Sequence, residues 1–276
     1  MSVTINTNIP SIAASRSLQE TSSSLNQAME RLSSGKRING AKDDAAGMTV
    51  VTRMKAQISS LNQAVRNAND AISLVSTYDG AADEVETILI RMRELATLAQ
   101  NGTYTTTDLA NANLEFQQLS QEIDRIATKT KFNGELAMFS ATGNITYSFQ
   151  VGFTGGDAVS ISLANMSAAT LYGEAVKQIT SPALAASAVT ETDTALKNLN
   201  SGRAVAGAMI NRLEHTVSNL MNVIQRTEEA RSRIEDADFA VESAALARAN
   251  VLTQAGSAML AQANQAPMYV LSLLRS

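Results

Sequence analysis

Residues 48–99 read MTVVTRMKAQISSLNQAVRNANDAISLVSTYDGAADEVETILIRMRELATLA, and their apolar spacing is that of a helix. Val51, Met54, Ile58, Leu61, Val65, Ala68, Ile72 and Val75 alternate steps of three and four. Ala82, Val85, Leu89, Met92, Ala96 and Ala99 resume the series after a slipped step near Gly80. A 3/4 alternation keeps its stripe on one seam when helices supercoil about each other. The slip permits a local change of winding or a bend. No proline lies between Pro10 and Pro182, so none breaks this stretch.

Working outward, a second helix is expected from near Thr105, with Asp108 three residues on as in a capping box. Ala112, Phe116, Leu119, Ile123 and Ile126 carry its stripe, and Lys129 and Lys131 suit its C-terminus. Ser181-Pro182 opens a third, with Pro at the first helical position. Its stripe runs through Val189, Leu196, Leu199, Ala206, Ile210, Leu213, Val217, Leu220, Ile224 and Ile234, interrupted by Thr192, Arg203, Thr227 and Arg231. Helices of about 50 residues extend about 75 Å, the length of a rod. Asn-Gly turn signals at Asn39, Asn101 and Asn133 fall between the periodic segments.

Residues 132–172 depart from this pattern and hold six of the eleven aromatics. Ile145, Tyr147, Phe149 and Val151 alternate with polar residues, Gly152 to Gly156 supply a turn, and Val159, Ile161 and Leu163 alternate again. A small β-hairpin at about 138–176 is predicted. At the ends, Ala14, Leu18, Thr21, Leu25, Ala28 and Leu32 form one stripe; Ala245, Ala249, Leu252, Gly256, Met259 and Ala263 form another of smaller residues. Ile5, Ile9, Val270, Leu271, Leu273 and Leu274 add apolar residues outside these stripes. Termini are usually polar and frayed; apolar ones need a partner. The fold class is therefore mainly α: a long coiled-coil-like helical rod with helical ends, whose apolar stripes need partners, and a small β-hairpin insertion.

Composition excludes several chemistries. The 276 residues include 44 Ala, no Cys, no Trp and one His, with a formal charge of −4. No Cys removes disulfides, thiolate metal sites and cysteine nucleophiles, and a lone His215 leaves no His-rich metal centre or Ser/His triad with a spare base. The mild acidity lacks the clustered basic footprint of a nucleic-acid binder. No apolar run reaches the roughly 18 residues of a membrane span. The first 30 residues lack a basic start and an apolar core, so no cleaved secretory signal is expected.

Local motifs have plainer readings. Gly35 to Lys42 imitates a phosphate loop, but Ala41 separates Gly40 from Lys42 and Asp43 replaces the hydroxyl residue; a glycine-broken linker is the reading. Asp43-Asp44 and Asp236/Asp238 lack the further ligands a calcium site needs and read as helix-start charges. His215 reads as a surface residue. The sequons at Asn101, Asn144 and Asn165 occur at chance frequency. No acid/base or nucleophile constellation points to an enzyme, and no catalytic, cofactor-binding or metal residue is assigned.

Ile5-Asn-Thr-Asn-Ile9, Leu32-Ser-Ser-Gly-Lys-Arg-Ile-Asn39 and Ala41-Lys-Asp-Asp-Ala-Ala-Gly47 resemble the N-terminal region of bacterial flagellin. So do Arg91-Met-Arg-Glu-Leu95-Ala, Asn101-Gly-Thr103 and Glu122-Ile-Asp-Arg125. Gln262-Ala-Asn-Gln265 and Val270-Leu-Ser-Leu-Leu274-Arg275 resemble that family's C-terminus. The similarity spans about residues 1–140 and 180–276, in the family's order. It implies a structural subunit that self-assembles into the flagellar filament for swimming. Residues 1–34 and 235–276 would pair as an inner-tube domain, 35–47 would form a spoke, and 48–234 the rod domain.

On the same resemblance, Ile5, Ile9, Leu18, Leu25, Leu32, Leu252, Met259, Val270, Leu271 and Leu274 would pack between subunits. Burying them would supply the driving force that offsets the ordering of ends disordered in the free monomer. Export would run unfolded through the flagellar type III channel to an extracellular filament. An export chaperone, filament cap and hook-junction proteins are implied as partners. Arg91, Leu95 and Glu115 match positions contacted by the Toll-like flagellin receptor of animals. Thr142, Ser148, Thr154 and Ser160 are implied as glycosylation sites. The alternatives are a hook–filament junction protein, whose C-terminal pattern agrees less well, and a secreted adhesion or binding rod that uses the hairpin as its contact.

Overall fold

The structure, a computed structural model, describes residues 7–134, 136, 137, 143–172 and 178–275, with side chains described up to residue 265 except at 136 and 137. The fold is mainly α. In chain order the elements are α1 (Ile9–Ser34), α2 (Ala45–Ala99), α3 (Thr106–Lys129), β1 (Lys131–Phe132), β2 (Leu136–Ala137), β3 (Ile145–Gln150), β4 (Ala158–Leu163), α4 (Ala168–Tyr172), α5 (Pro182–Glu235) and α6 (Phe239–Arg275). They form two compact units, Met1–Ile58 with Gln225–Ser276, and Ser59–Ile224.

The helices begin where side chains satisfy their first free N–H groups. Asn8 accepts from Ser11 N at 3.1 Å at the head of α1. Asp44 accepts from Gly47 N at 2.8 Å before α2, and Asp238 accepts from Ala240 N before α6. Thr105 and Asp108 make the reciprocal capping box expected for α3, and Ser181 precedes Pro182 at α5. Asp44 and Asp238, one acid of each pair, thus supply helix-start carboxylates as the sequence predicts, while Asp43 holds the connector by accepting from Asn39 N and Gly40 N. Gly35 closes α1 in the left-handed region, φ +69°, where a Cβ would be strained.

In Ser59–Ile224 one core joins α2, α3, α5 and the β3–β4 hairpin, with Leu89, Phe116, Ile161 and Leu213 closed to solvent. The hairpin is antiparallel, from Ile145 opposite Leu163 to Gln150 opposite Ala158. Val159, Ile161 and Leu163 turn inward while Ser160 and Ser162 face out. A second, two-residue antiparallel pair, β1–β2, was not foreseen. Asn133 and Gly134 both take positive φ in its turn, a role these residue types tolerate.

The slip near Gly80 is not there. Tyr78 is fully buried and fills the step between Val75 and Ala82, so the series runs 75, 78, 82, 85 without a break. Its hydroxyl donates to the Ala164 carbonyl at 3.1 Å, which offsets the cost of burying a polar group. Burial pushes the phenol far above its ordinary range. Earlier on α2 the expected positions Val51, Ile58, Leu61 and Ala68 are closed, joined by Ala64, Ala71 and Leu74, while Met54, Val65 and Ile72 are half-buried beside them. On α5, Thr192 stays in the seam because its Oγ1 donates to the Ala188 carbonyl at 2.8 Å. Arg203 stays because Asp79 (2.9 Å), Asp83 (3.1 Å) and Glu86, spaced along one face of α2, neutralise it.

Candidate assembly surface

α1 and α6 lie antiparallel, and four contacts set their register. Asn8 Nδ2 donates to the Ala263 carbonyl at 2.8 Å, and Ser11 Oγ donates to Asn264 Oδ1 at 2.7 Å. Leu18 packs on Gly256, where an added Cβ would stand 3.3 Å from its Cδ1. Arg31 and Glu242, both largely buried, pair at 2.9 Å. The partners' numbers sum to nearly the same value at every level, so the pair is in continuous register from end to end of these contacts. Small residues on α6 let the backbones approach.

The α1 stripe behaves as its spacing predicts: Leu18, Leu25 and Leu32 are half-buried and Ala28 is buried. The α6 stripe needs correction. Ala249, Gly256 and Ala263 do turn inward, but their seam partners are Glu242, Leu246, Thr253 and Leu260. Ala245, Leu252 and Met259 lie on the exposed side, with Leu252 50% and Met259 61% exposed. Both sets keep 3/4 spacing through the same small residues, so periodicity could not separate them. Ile9 (65% exposed), Ile12, Val241 and Val251 are open too. A groove of about 290 Å³ runs between Ser17, Thr21 and Ser24 on α1 and Ala245 and Leu252 on α6. Ile5 lies outside the described residues; Val270, Leu271 and Leu274 belong to the α6 backbone, and their side chains lie outside the description.

The connector between α1 and α2 is clasped to the junction of α5 and α6. Arg37 N donates to the Glu235 carbonyl at 2.7 Å and Ala237 N to the Gly35 carbonyl at 3.0 Å. The Glu235 carboxylate, 5% exposed, meets Lys55 at 2.6 Å, Lys36 at 2.9 Å and Arg231 at 3.9 Å. Burial works to raise its pKa, but the hydrogen bonds from Lys55 and Lys36 prevail and hold it below the ordinary value. Asp43, hydrogen-bonded by Asn39 N and Gly40 N, is lowered as well. Sequence reasoning missed this clasp, because nothing in the spacing links Lys36, Lys55 and Glu235.

In Ser59–Ile224, Arg91 Nε donates to Glu115 at 2.8 Å and its Nη1 to Glu94 at 3.1 Å, all three side chains being about half exposed. Leu95, grouped with Arg91 and Glu115 by resemblance, is 4% exposed and packs in the core. Ser148, Thr154 and Ser160 are exposed on the hairpin, with Ser148 directly opposite Ser160; Thr142 lies outside the described residues. His215 is exposed. Among the described residues no group of acidic or histidine side chains could hold a metal ion, and no helix is long and apolar enough to cross a membrane.

Two family models match the chain: the bacterial flagellin N-terminal helical region over residues 5–143, and the bacterial flagellin C-terminal helical region over residues 189–274. A flagellin of Halalkalibacterium halodurans is 45% identical over 272 residues, covering 98% of this chain and 99% of its own. A flagellin of Listeria monocytogenes is 36% identical over 285 residues, covering 99% of each. A solved flagellar hook-associated chain from Vibrio parahaemolyticus, 15% identical, superposes with a TM-score of 0.59 over 70% of this chain and 100% of its own, a likeness of fold.

Proposed function

The chain belongs to the bacterial flagellin family, and from that premise we propose which of its surfaces build the filament. It is a structural subunit, not an enzyme, that self-assembles with other copies into the extracellular flagellar filament. Residues 1–34 and 235–276 form the inner tube, 35–47 the spoke and 48–234 the rod domain that carries the hairpin. The tube is held by Ile5, Ile9, Leu252, Met259, Val270, Leu271 and Leu274 packing between subunits, while Leu18, Leu25 and Leu32 first join α1 to α6.

The observation that supports this reading is the open apolar side of the α1–α6 pair. Ile9, Leu252 and Met259 are at least half exposed, on helices that the chain has already paired with each other. Covering one leucine contributes about 1.5–3 kcal/mol, so several such residues per subunit offset the loss of freedom on joining a polymer.

Finer proposals rest on the family. The subunit leaves the cell unfolded through the flagellar type III channel and meets an export chaperone, hook-junction proteins and the filament cap. Arg91 and Glu115 face the animal Toll-like flagellin receptor on free subunits. Thr142, Ser148, Thr154 and Ser160 are candidates for glycosylation, which an intact-mass measurement reads directly. The decisive experiment removes the last ten residues. A soluble helical subunit that no longer extends seeded filaments is expected; normal filaments from that truncation overturn the inner-tube assignment.

A further inference from the structure

A cleft of about 290 Å³ opens between α2 and the turn joining β3 to β4, within Ser59–Ile224. Its walls are Ser60, Gln63 and Asn67 on the helix side, and Gln150, Phe153 and Thr154 on the turn side. None of them is charged. The amides are already held in place: Gln63 Oε1 accepts from Arg66 Nη2 at 2.6 Å, and Gln63 Nε2 donates to Asn67 Oδ1 at 2.9 Å. Asn67 Nδ2 in turn donates to the Gln150 carbonyl at 2.9 Å. On the other wall Gln150 Nε2 donates to the carbonyls of Gly152 and Thr154, and the Thr154 hydroxyl donates to Asp157. Phe153 stands at the turn with 55% of its surface open.

We propose that this cleft binds a single neutral pyranose ring. Its size lies near the lower end of ligand pockets, roughly 300 Å³, room for one ring rather than a chain. A pyranose has an apolar face of C–H groups and an edge of hydroxyls, and the cleft offers the complement of each. The open phenyl ring of Phe153 takes the C–H face, and fixed amides with the Ser60 hydroxyl take the edge. Fixed amides bind without the ordering loss that mobile ones incur. A charged ligand finds no counter-charge on these walls, and a purely apolar one would offer no partner to the remaining amide hydrogens of Gln63 and Asn67.

The test is ligand-observed saturation-transfer NMR on the full chain as free subunit. The probes are glucose, galactose, mannose, N-acetylglucosamine and their methyl glycosides. At least one ring should receive saturation, strongest on one face. Phe153→Ala should weaken its binding roughly tenfold, as expected for the loss of one stacking contact, and Phe153→Tyr should restore it. Methyl glycosides binding as well as free sugars marks the end of a glycan chain as the source; weaker binding marks the free sugar. No saturation from any ring, or equal saturation with Phe153→Ala, overturns the proposal. So does a Phe153→Ala subunit that binds sugar as the unaltered chain does but fails to join filaments, which makes the cleft a contact between copies. Filament growth by the unaltered chain reports separately on the inner-tube reading.

Discussion

In Ser59–Ile224, Leu89, Phe116, Ile161 and Leu213 come from four elements and close one another off from solvent. In Met1–Ile58 with Gln225–Ser276, the fully closed apolar residues among those described are Ala28, Ile38, Val51, Ile58 and Ala249, while Ile9, Ile12, Leu252 and Met259 stay open. Both regions are long helices with 3/4 stripes. The first closes a core of large apolar side chains from four elements, though Leu114, Phe153 and Met221 stay open on its surface. The second has only a two-helix seam and leaves most of its large apolar side chains on these helices open or half-buried. Two helices present only one seam to each other, so any second apolar face must find its cover elsewhere.

The same kind of truncation therefore has different consequences in the two regions. Phe116→Ala should lower the unfolding free energy of the subunit by about 3–5 kcal/mol, read as a shifted urea midpoint, since Phe116 is fully enclosed. Leu252→Ala should leave that midpoint within about 0.5 kcal/mol of its original value, as open positions do. It should instead raise the subunit concentration needed for filament growth by about tenfold or more, the equivalent of 1.5 kcal/mol of lost burial. If Leu252→Ala unfolds the free subunit as Phe116→Ala does, the contrast between the regions is wrong.

The clasp tests how the helix pair is tied at its connector. Glu235 is buried, but Lys36 and Lys55 are each more than 40% exposed, so solvent weakens the pairing. Glu235→Gln should cost about 1–2 kcal/mol. Its carboxyl is held below the ordinary 4.5, so its contribution is complete above that value and fades as the pH falls through the lower folded value. The stability of the wild-type and Glu235→Gln subunits should thus converge on acidification below about pH 4.5, as followed by helical circular dichroism in urea. A difference that grows in acid contradicts the assignment.

Helix positions were legible in the sequence because caps and seams are local. Thr105 with Asp108, Ser181 before Pro182 and the alternation at 145–151 and 159–163 each signal an element within a few residues. What was missed depends on partners distant in sequence. The α2 series reads as slipped near Gly80 until Ala164 gives the buried Tyr78 hydroxyl an acceptor, and Arg203 reads as an interruption until Asp79, Asp83 and Glu86 are brought beside it. The acids at 79, 83 and 86 were a usable signal, since that spacing places them on one helix face. The α6 seam failed for another reason. Ala249, Gly256 and Ala263 serve both candidate stripes, and only the partner helix decides between Leu252 and Thr253.

Arg91 offers the smallest expected effect on the fold and so the cleanest separation of folding from recognition. Its ion pairs with Glu94 and Glu115 lie at the surface, where such pairs contribute little because both partners are well solvated alone. The thermal unfolding curve of Arg91→Ala should overlay that of the unchanged chain. Leu95 is enclosed beneath it and should remain so. On the receptor reading, monomers of the same variant should signal more weakly through the Toll-like flagellin receptor, because a guanidinium held in place by two carboxylates has been lost from an exposed surface. Leu95→Ala separates the two roles from the other direction. It should lower stability by about 2–5 kcal/mol and affect signalling only as far as it disturbs α2. Full potency from a well-folded Arg91→Ala subunit would remove this face from the recognition surface and leave the pair as a minor tie between α2 and α3.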